Sequence, residues 1–289
     1  MADTISSMHG TLLFWCPDRP GIVSAVSGHL YANGCTILHA DQYSDPDTGL
    51  FYQRITFETG SDAPGRDALA DGFASLAAQQ ELDWRLSWSD QPKRVALLVS
   101  RQDHCLWDIL LRRRWGELPC DIACVISNHD VTQDVAATFD VPFHVLPVDD
   151  GNRAEQEGRI TELLQREQVQ LGVLARYMQI LSPGFIESAP CPLINIHHSF
   201  LPAFSGARPY HQARQRGVKF VGATAHYVTS ELDAGPIIAQ DVIRCSHLDS
   251  VEDLSCKGRD VERLVLARAV RWHLEDRILP GPGRVVVFE

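Results

Sequence analysis

The 289-residue sequence predicts an α/β protein in two parts, a ferredoxin-like βαββαβ unit followed by a Rossmann-like domain on a mostly parallel sheet. Two observations predict it. Over residues 1–88, strand-length apolar runs and helix-period segments follow one another in the order βαββαβ. Beyond residues 89–93, a polar stretch containing Pro92, nearly continuous apolar strands alternate with helices, the pattern of a sheet covered on both faces. The expected division is 1–88, a linker at 89–93, and 94–289.

In the first part, residues 11–16 form a short apolar run that reads as a strand, and Pro17-Asp18-Arg19-Pro20-Gly21 turns the chain. Ile22, Val23, Val26 and Leu30 are spaced for a helix over 22–32. Asn33-Gly34 ends it, because both residue types tolerate the left-handed backbone that follows a helix. Residues 36–43 and 50–58 read as strands joined by a turn, 63–80 as a helix and 83–87 as a strand. In the second part, strands are expected at 94–99, 121–127, 143–148, 170–176 and 193–197. Helices are expected between them at 105–114, 130–139, 152–167 and 183–188. Strands at 224–228 and 237–243, a long helix at 251–275 and an edge strand at 285–288 complete the chain.

Composition narrows the functional classes. A hydrophobic content of 45% with 22% charged residues describes an ordinary globular protein. The chain contains no apolar run of the roughly 18 residues that a transmembrane helix needs, so no membrane partner is expected. Residues 1–10 are polar and lack the pattern of a secretory signal, which makes cytoplasm the expected location. A net charge of −11 argues against a nucleic-acid partner, since phosphate binding needs clustered Lys and Arg. The basic run Arg112-Arg113-Arg114 reads as a solvated helix end. Eight cysteines are scattered without a Cys-x-x-Cys, and the Cys120/Cys124 pair does not have zinc-site spacing. They read as reduced, mostly buried thiols; Cys105, beside His104, reads as packing before nucleophile.

The chemistry concentrates at Asn195-Ile196-His197-His198-Ser199-Phe200-Leu201-Pro202 and at Leu232-Asp233-Ala234-Gly235-Pro236-Ile237-Ile238. Asn195 and His197 are two residues apart, so an extended strand presents both on one face. His198 would then point to the other face, as support or packing. Asp233 lies in its own Gly/Pro-bounded loop, free to approach the pair. An amide donor, a titratable imidazole and a carboxylate together can manage a tetrahedral oxyanion at a carbonyl carbon. The same types also occur as structural residues: an Asn-x-His strand end and an Asp-Ala-Gly-Pro turn are each unremarkable alone. A metal held by His197, His198 and Asp233 is not expected.

The two strings in this order resemble the signature of the folate-dependent formyl-transfer enzymes. The resemblance implies that Asn195, His197 and Asp233 form the catalytic triad. It also implies that Tyr177, Met178, Gln179, Ile180 and Leu181 line the folate pocket; His226 and Tyr227 alternate near the same site, and one of the two is expected to line it. Folate is then a substrate, and no cofactor is expected. Asp18-Arg19-Pro20-Gly21-Ile22-Val23 with Asn33-Gly34 resembles the opening of an ACT domain. That resemblance implies an amino-acid effector such as glycine or methionine held near Asp18, Gly21 and Asn33, and a homo-oligomer, dimer or tetramer. The bland alternative is a tight turn and a helix cap.

The loop Val99-Ser100-Arg101-Gln102-Asp103-His104-Cys105 has no glycine and places an acid at the expected helix start. An acidic side chain there competes with a phosphate for the same field, so a phosphorylated amine acceptor is not expected. Water is the simplest acceptor left. Along essentially its whole length the chain resembles the 10-formyltetrahydrofolate deformylases. Gly206-Ala207-Arg208-Pro209-Tyr210-His211-Gln212-Ala213 and Gly222-Ala223-Thr224-Ala225-His226-Tyr227 add to the match. The implied reaction is hydrolysis of 10-formyltetrahydrofolate to formate and tetrahydrofolate, feeding formate to purine synthesis and balancing one-carbon folate pools. Whether Asp233 orients His197 or takes the proton from water stays open. Transfer to a small amine and a catalytically silent sensor remain as alternative classes.

Overall fold

The computed structural model describes residues 9–149, 151–202 and 209–289. The chain divides into two compact units, Met1–Pro92 with Asp276–Glu289, and Lys93–Glu275.

The first unit runs β1 (His9–Pro17), α1 (Ile22–Ala32), β2 (Cys35–Asp45), β3 (Leu50–Thr59), α2 (Arg66–Gln79) and β4 (Asp83–Trp88). Its sheet has the order β2-β3-β1-β4 with every pair antiparallel, the expected ferredoxin-like arrangement. Helix α1 starts after Gly21 at φ 95° and is followed by Gly34 at φ 69°; both need backbone that side chains oppose. Its Ile22, Val26 and Leu30 bury against Phe14, Phe57 and Phe73.

Residues 276–289 correct the expected division, which assigned them to the second domain. They form a hairpin, β12 (Ile278–Gly281) and β13 (Arg284–Val287), whose Leu279 and the following Phe288 pack on Leu13 and Tyr52 of the first unit. The polar seam agrees. Arg54 Nε donates to the Asp276 carbonyl at 2.9 Å, Ser87 Oγ to Asp276 Oδ2 at 2.6 Å, and Arg85 to the Ile278 carbonyl at 2.9 Å. The expected edge strand at 285–288 is thus one arm of a hairpin. Its other arm was not expected.

The second unit runs β5 (Lys93–Val99), α3 (His104–Arg114), β6 (Cys120–Ser127), α4 (Gln133–Thr138), β7 (Phe143–Val145), α5 (Arg153–Arg166), β8 (Leu171–Leu174), α6 (Pro183–Ser188), β9 (Leu193–His197), α7 (Pro209–Arg216), β10 (Phe220–Tyr227), β11 (Ile237–Arg244) and α8 (Val251–Leu274). The sheet order is β11-β10-β9-β8-β5-β6-β7. The five strands from β9 to β7 are parallel, and β10 and β11 run antiparallel at one side. Leu97, Leu98, Val125 and Ile126 are fully buried, each contributing about 2 kcal/mol of apolar transfer energy. Helix α8 begins with a capping box between Ser250 and Asp253. Helix α7 was not anticipated.

Strand order reverses at β5, with β6 on one side and β8 on the other. In such sheets the crevice outside the carboxyl ends of the strands at the reversal is where ligands bind. Ser100, Arg176 and His198 lie just beyond the ends of β5, β8 and β9.

Candidate active site

Asn195 and His197 stand on one face of β9, as their spacing requires. The antiparallel register sets His226 of β10 opposite Asn195 and Thr224 opposite His197. Asp233 comes to this face from the loop between β10 and β11, in the left-handed region at φ 55°. The loop lies close on the sheet: a Cβ on Gly235 would fall 1.8 Å from the Tyr227 carbonyl oxygen, so that position admits only glycine.

The four polar side chains meet. His197 Nδ1 lies 3.1 Å from Asp233 Oδ2, and His226 Nε2 lies 3.6 Å from Asp233 Oδ1. Asn195 Nδ2 lies 3.3 Å from His226 Nε2. His226 Nδ1 approaches the Tyr227 carbonyl at 2.8 Å, and since a carbonyl only accepts, that nitrogen carries a proton. The hydrogen bond from His197, with the nearby His226 ring as the next contributor, holds the Asp233 carboxyl well below the usual carboxylate range, against the opposing effect of burial. A carboxylate at Nδ1 fixes the His197 tautomer and directs Nε2 at the opposite end of the ring. That Nε2 is buried and has no hydrogen-bond partner among the described residues, an arrangement that costs about 1–3 kcal/mol and marks the atom as one to be used.

The segment after β9 is pinned. Thr224 Oγ1 donates to the Ser199 carbonyl at 2.9 Å and accepts from Leu201 N at 3.0 Å. Gln240 Nε2 donates to both the Leu201 carbonyl and Thr224 Oγ1. The Leu201–Pro202 peptide is cis. Because β9 ends at His197, strand alternation does not extend to His198, and the expectation that it faces away is corrected. Its ring stacks on His197 with centroids 4.9 Å apart and planes 20° apart.

The expected folate residues divide. Met178 and Ile180 are exposed, and Met178 N donates to Ser100 Oγ at 2.9 Å, which fixes the backbone there. Gln179 is half-buried. Tyr177 and Leu181 instead belong to the core with Leu98, Ile126 and Phe185, and burial pushes the Tyr177 phenol up to about 12. Tyr227 alternates away from His226 and its hydroxyl meets His273 Nδ1 of α8 at 2.7 Å, while its carbonyl faces His226 Nδ1. Gly206, Ala207 and Arg208 lie outside the described residues.

Asn33 is not brought to Gly21. Gly21 and Asn33 cap opposite ends of α1, an 11-residue helix that separates them by about 16 Å. Asn33 Nδ2 donates to the His29 carbonyl at 2.8 Å as a helix end-cap. Asp103 does stand at the start of α3, where it accepts from Trp107 Nε1 at 3.2 Å. Cys105 is fully buried and its thiol is pushed well up by burial, which leaves it a packing residue. Arg112 is spent on Asp108 and Glu117, each at 2.7 Å.

Behind the His197–His198 stack lies a polar group that the sequence did not suggest. Arg176, at φ 67°, donates from Nη1 to His198 Nδ1 at 3.1 Å and from Nε to Gln102 Oε1 at 2.8 Å. Glu262 of α8, 2% exposed, lies 3.4 Å from Arg176 Nε, 2.8 Å from His104 Nε2 and 3.0 Å from the Tyr210 hydroxyl. A Cβ on Gly258, one turn before Glu262, would fall 1.9 Å from the Tyr210 hydroxyl, so glycine there lets the phenol through. The available signal was an acid on the buried stripe of α8, among Leu254, Val261, Val265 and Leu266.

A doubly wound domain that gathers an amide and imidazoles on the last residues of β9 and β10 and a carboxylate from the loop beside them is built for work at a carbonyl carbon. Residues 93–270 match the formyl transferase family and residues 10–71 the ACT domain. A formyltetrahydrofolate deformylase from Synechocystis sp. is 50% identical over 284 residues, 98% of this chain and 100% of the relative. The crystal structure of a formyltetrahydrofolate deformylase from Pseudomonas syringae pv. tomato matches with a TM-score of 0.94 at 46% identity, covering 99% of this chain and 96% of that one. A phosphoribosylglycinamide formyltransferase from Anaplasma phagocytophilum matches with a TM-score of 0.63 at 31% identity over 69% of this chain and 95% of that one. The chain belongs to the formyltetrahydrofolate deformylase family.

Proposed function

We propose that this protein hydrolyses 10-formyltetrahydrofolate to formate and tetrahydrofolate, with Asn195, His197 and Asp233 as the catalytic residues. The observation that carries the reading is the contact of His197 Nδ1 with Asp233 at 3.1 Å, which leaves a buried, unpartnered Nε2. Water adds to the formyl carbon, and the carbonyl oxygen becomes an oxyanion. One amide hydrogen of Asn195 is directed at His226. The other serves the oxyanion, a donor worth about 3 kcal/mol when well placed. The bond from carbon to N10 then breaks, N10 takes a proton, and formate leaves. His197 Nε2 moves that proton, while the ionised Asp233 holds the ring and balances the imidazolium charge. Water supplies the oxygen and side chains carry the protons, so the reaction needs no cofactor.

Met178, Ile180, Gln179 and His226 are the groups available to the folate. Asp103 at the start of α3 supports water over a phosphorylated amine as acceptor. The released formate would supply purine synthesis and balance the one-carbon folate pools, in the cytoplasm. The first unit would build a homo-oligomer, dimer or tetramer, and take an amino acid such as glycine or methionine through the Asp18–Gly21 turn. Light scattering and titration of activity with those amino acids test these two roles.

The test incubates the purified chain with 10-formyltetrahydrofolate and no amine, then measures formate and tetrahydrofolate. Equal release of both, lost by more than about a hundredfold in Asp233→Asn with thermal stability kept, is the expected result. Turnover only with an added amine, giving a formylated amine, overturns the hydrolase reading; near-parental turnover of Asp233→Asn overturns the assignment of the site.

A further inference from the structure

The group around Glu262 is set apart by its burial. Glu262 is 2% exposed and Arg176 is 9% exposed. Burying an ion pair costs desolvation energy that a plain hydrophobic packing would avoid, and removing one partner leaves a charge with no compensation. The group also has a direction. Glu262 lies against Arg176 at 3.4 Å, Arg176 donates to His198 Nδ1 at 3.1 Å, and His198 stacks on His197. A guanidinium only donates, so His198 Nδ1 must accept, and the ring's proton is on Nε2.

His104, Cys105 and Glu262 together have the atoms of a metal site. The Arg176 guanidinium against the same carboxylate supplies the positive charge in its place. The charged and titratable groups around Glu262 come from each packed element: His104 from α3, Arg176 from the loop after β8, and Tyr210 from α7. On the other side, the charges felt by His198 are those of Arg176, His197, Glu262 and Asp233. Burial pushes the Glu262 carboxyl up, but the His104 hydrogen bond, the Arg176 charge and the Tyr210 hydrogen bond outweigh it, so Glu262 is ionised.

We propose that Glu262 is a positioning residue for the hydrolysis: it balances the Arg176 guanidinium and, through it, fixes the His198 ring against His197. The proposal rests on the reading of Asn195, His197 and Asp233 as the catalytic residues. Without the Glu262 charge, Arg176 acts uncompensated on the imidazole pair. A protonated His197 is then opposed, and its ring loses the fixed partner that sets its orientation. Substrate contacts are untouched, so the effect falls on kcat.

The experiment measures kcat and KM across pH for the full-length chain carrying Glu262→Gln, His198→Asn, or both. Glutamine keeps the size and most hydrogen bonds of Glu262 but not its charge. In Glu262→Gln, kcat is expected to fall about tenfold with KM changed less than about twofold. The pH above which kcat declines moves down by about half a unit or more. In the His198→Asn background the same substitution has a clearly smaller effect, because the pathway through the ring is already broken. Glu262→Asp, which restores the charge, returns the pH profile towards that of the parent. If Glu262→Gln does not fold, Arg176→Lys replaces it, since lysine keeps the charge but cannot hold the fork of contacts, and the kcat loss with the same coupling to His198 is expected. An unchanged pH profile in Glu262→Gln, or an equal loss with and without His198 in either variant, overturns the proposal even where thermal stability drops. Retained turnover in Asp233→Asn is a separate outcome and strikes the catalytic assignment instead.

Discussion

His198 should stay neutral in the folded protein well into the acid range, and the protein should lose stability for it. Burial, with the charges of Arg176 and His197, pushes its imidazole down from 6.5 to about 4. In the unfolded chain the ring regains its ordinary affinity. Between those two values the unfolded state binds a proton that the folded state refuses, so stability rises with pH across that window and falls as the solution is acidified. The difference is about 2.5 pH units, and each unit is worth about 1.36 kcal/mol, which bounds the effect at about 3 kcal/mol. The ring keeps some contact with solvent, which reduces this to about 2 kcal/mol. His198→Asn removes the titration while placing an amide oxygen where Nδ1 accepts from Arg176. Urea unfolding of parent and variant at about pH 7.5 and about pH 4.5 isolates the contribution, since other acid-sensitive groups are common to both. The parent should lose about 2 kcal/mol more than the variant on acidification. Nitrogen-15 imidazole spectra should show His198 protonated only on Nε2 at about pH 5.5. A His198 resonance that titrates near its ordinary value, or a variant with the parent's pH dependence, would refute the reasoning.

Three further outcomes follow from the geometry. Asn195→Ala should lower kcat by about a hundred- to a thousandfold while folate binding, followed by fluorescence, persists; a loss of binding alone would remove the oxyanion role. Gly235→Ala places a methyl group 1.8 Å from the Tyr227 carbonyl oxygen, so the loop carrying Asp233 must move. Thermal stability should drop by about 1–3 kcal/mol and turnover should fall more steeply than folate affinity; parental values of both would contradict the close approach. Of the eight thiols, only Cys256 is exposed, so a disulfide reagent should find one rapidly reacting thiol per native chain and eight after denaturation. Fast reaction of Cys120 or Cys124, whose thiols burial pushes up to about 12 and about 11, would contradict the packing.

The residues gathered at the candidate site were legible because local rules place them. Asn195 and His197 share a face by strand alternation, and Asp233 sits in a loop that Gly235 and Pro236 announce. Most elements were legible for the same reason, with α1 matching its expected limits of 22–32. The failures share a cause as well. His198 was turned the wrong way because the end of β9 is set by the Thr224 and Gln240 bonds to the following loop, not by His198 itself. Tyr177, Leu181 and Tyr227 were read as pocket residues because a motif names positions without saying which side chains the core claims. Residues 276–289 were placed with the wrong unit because their partners lie far back in the chain, as Ser87 does for Asp276, 189 positions away. Glu262 is the informative case. Its partners His104 and Tyr210 are 158 and 52 positions distant, beyond any local rule, yet the sequence registers it as a charge on a helical stripe that is otherwise apolar. A buried acid is tolerated only where the fold returns a cation or donors to it. Reading such a position as a demand for a partner points inward to Arg176 and, through it, to the His198 ring stacked on His197, contacts that no sequence motif records.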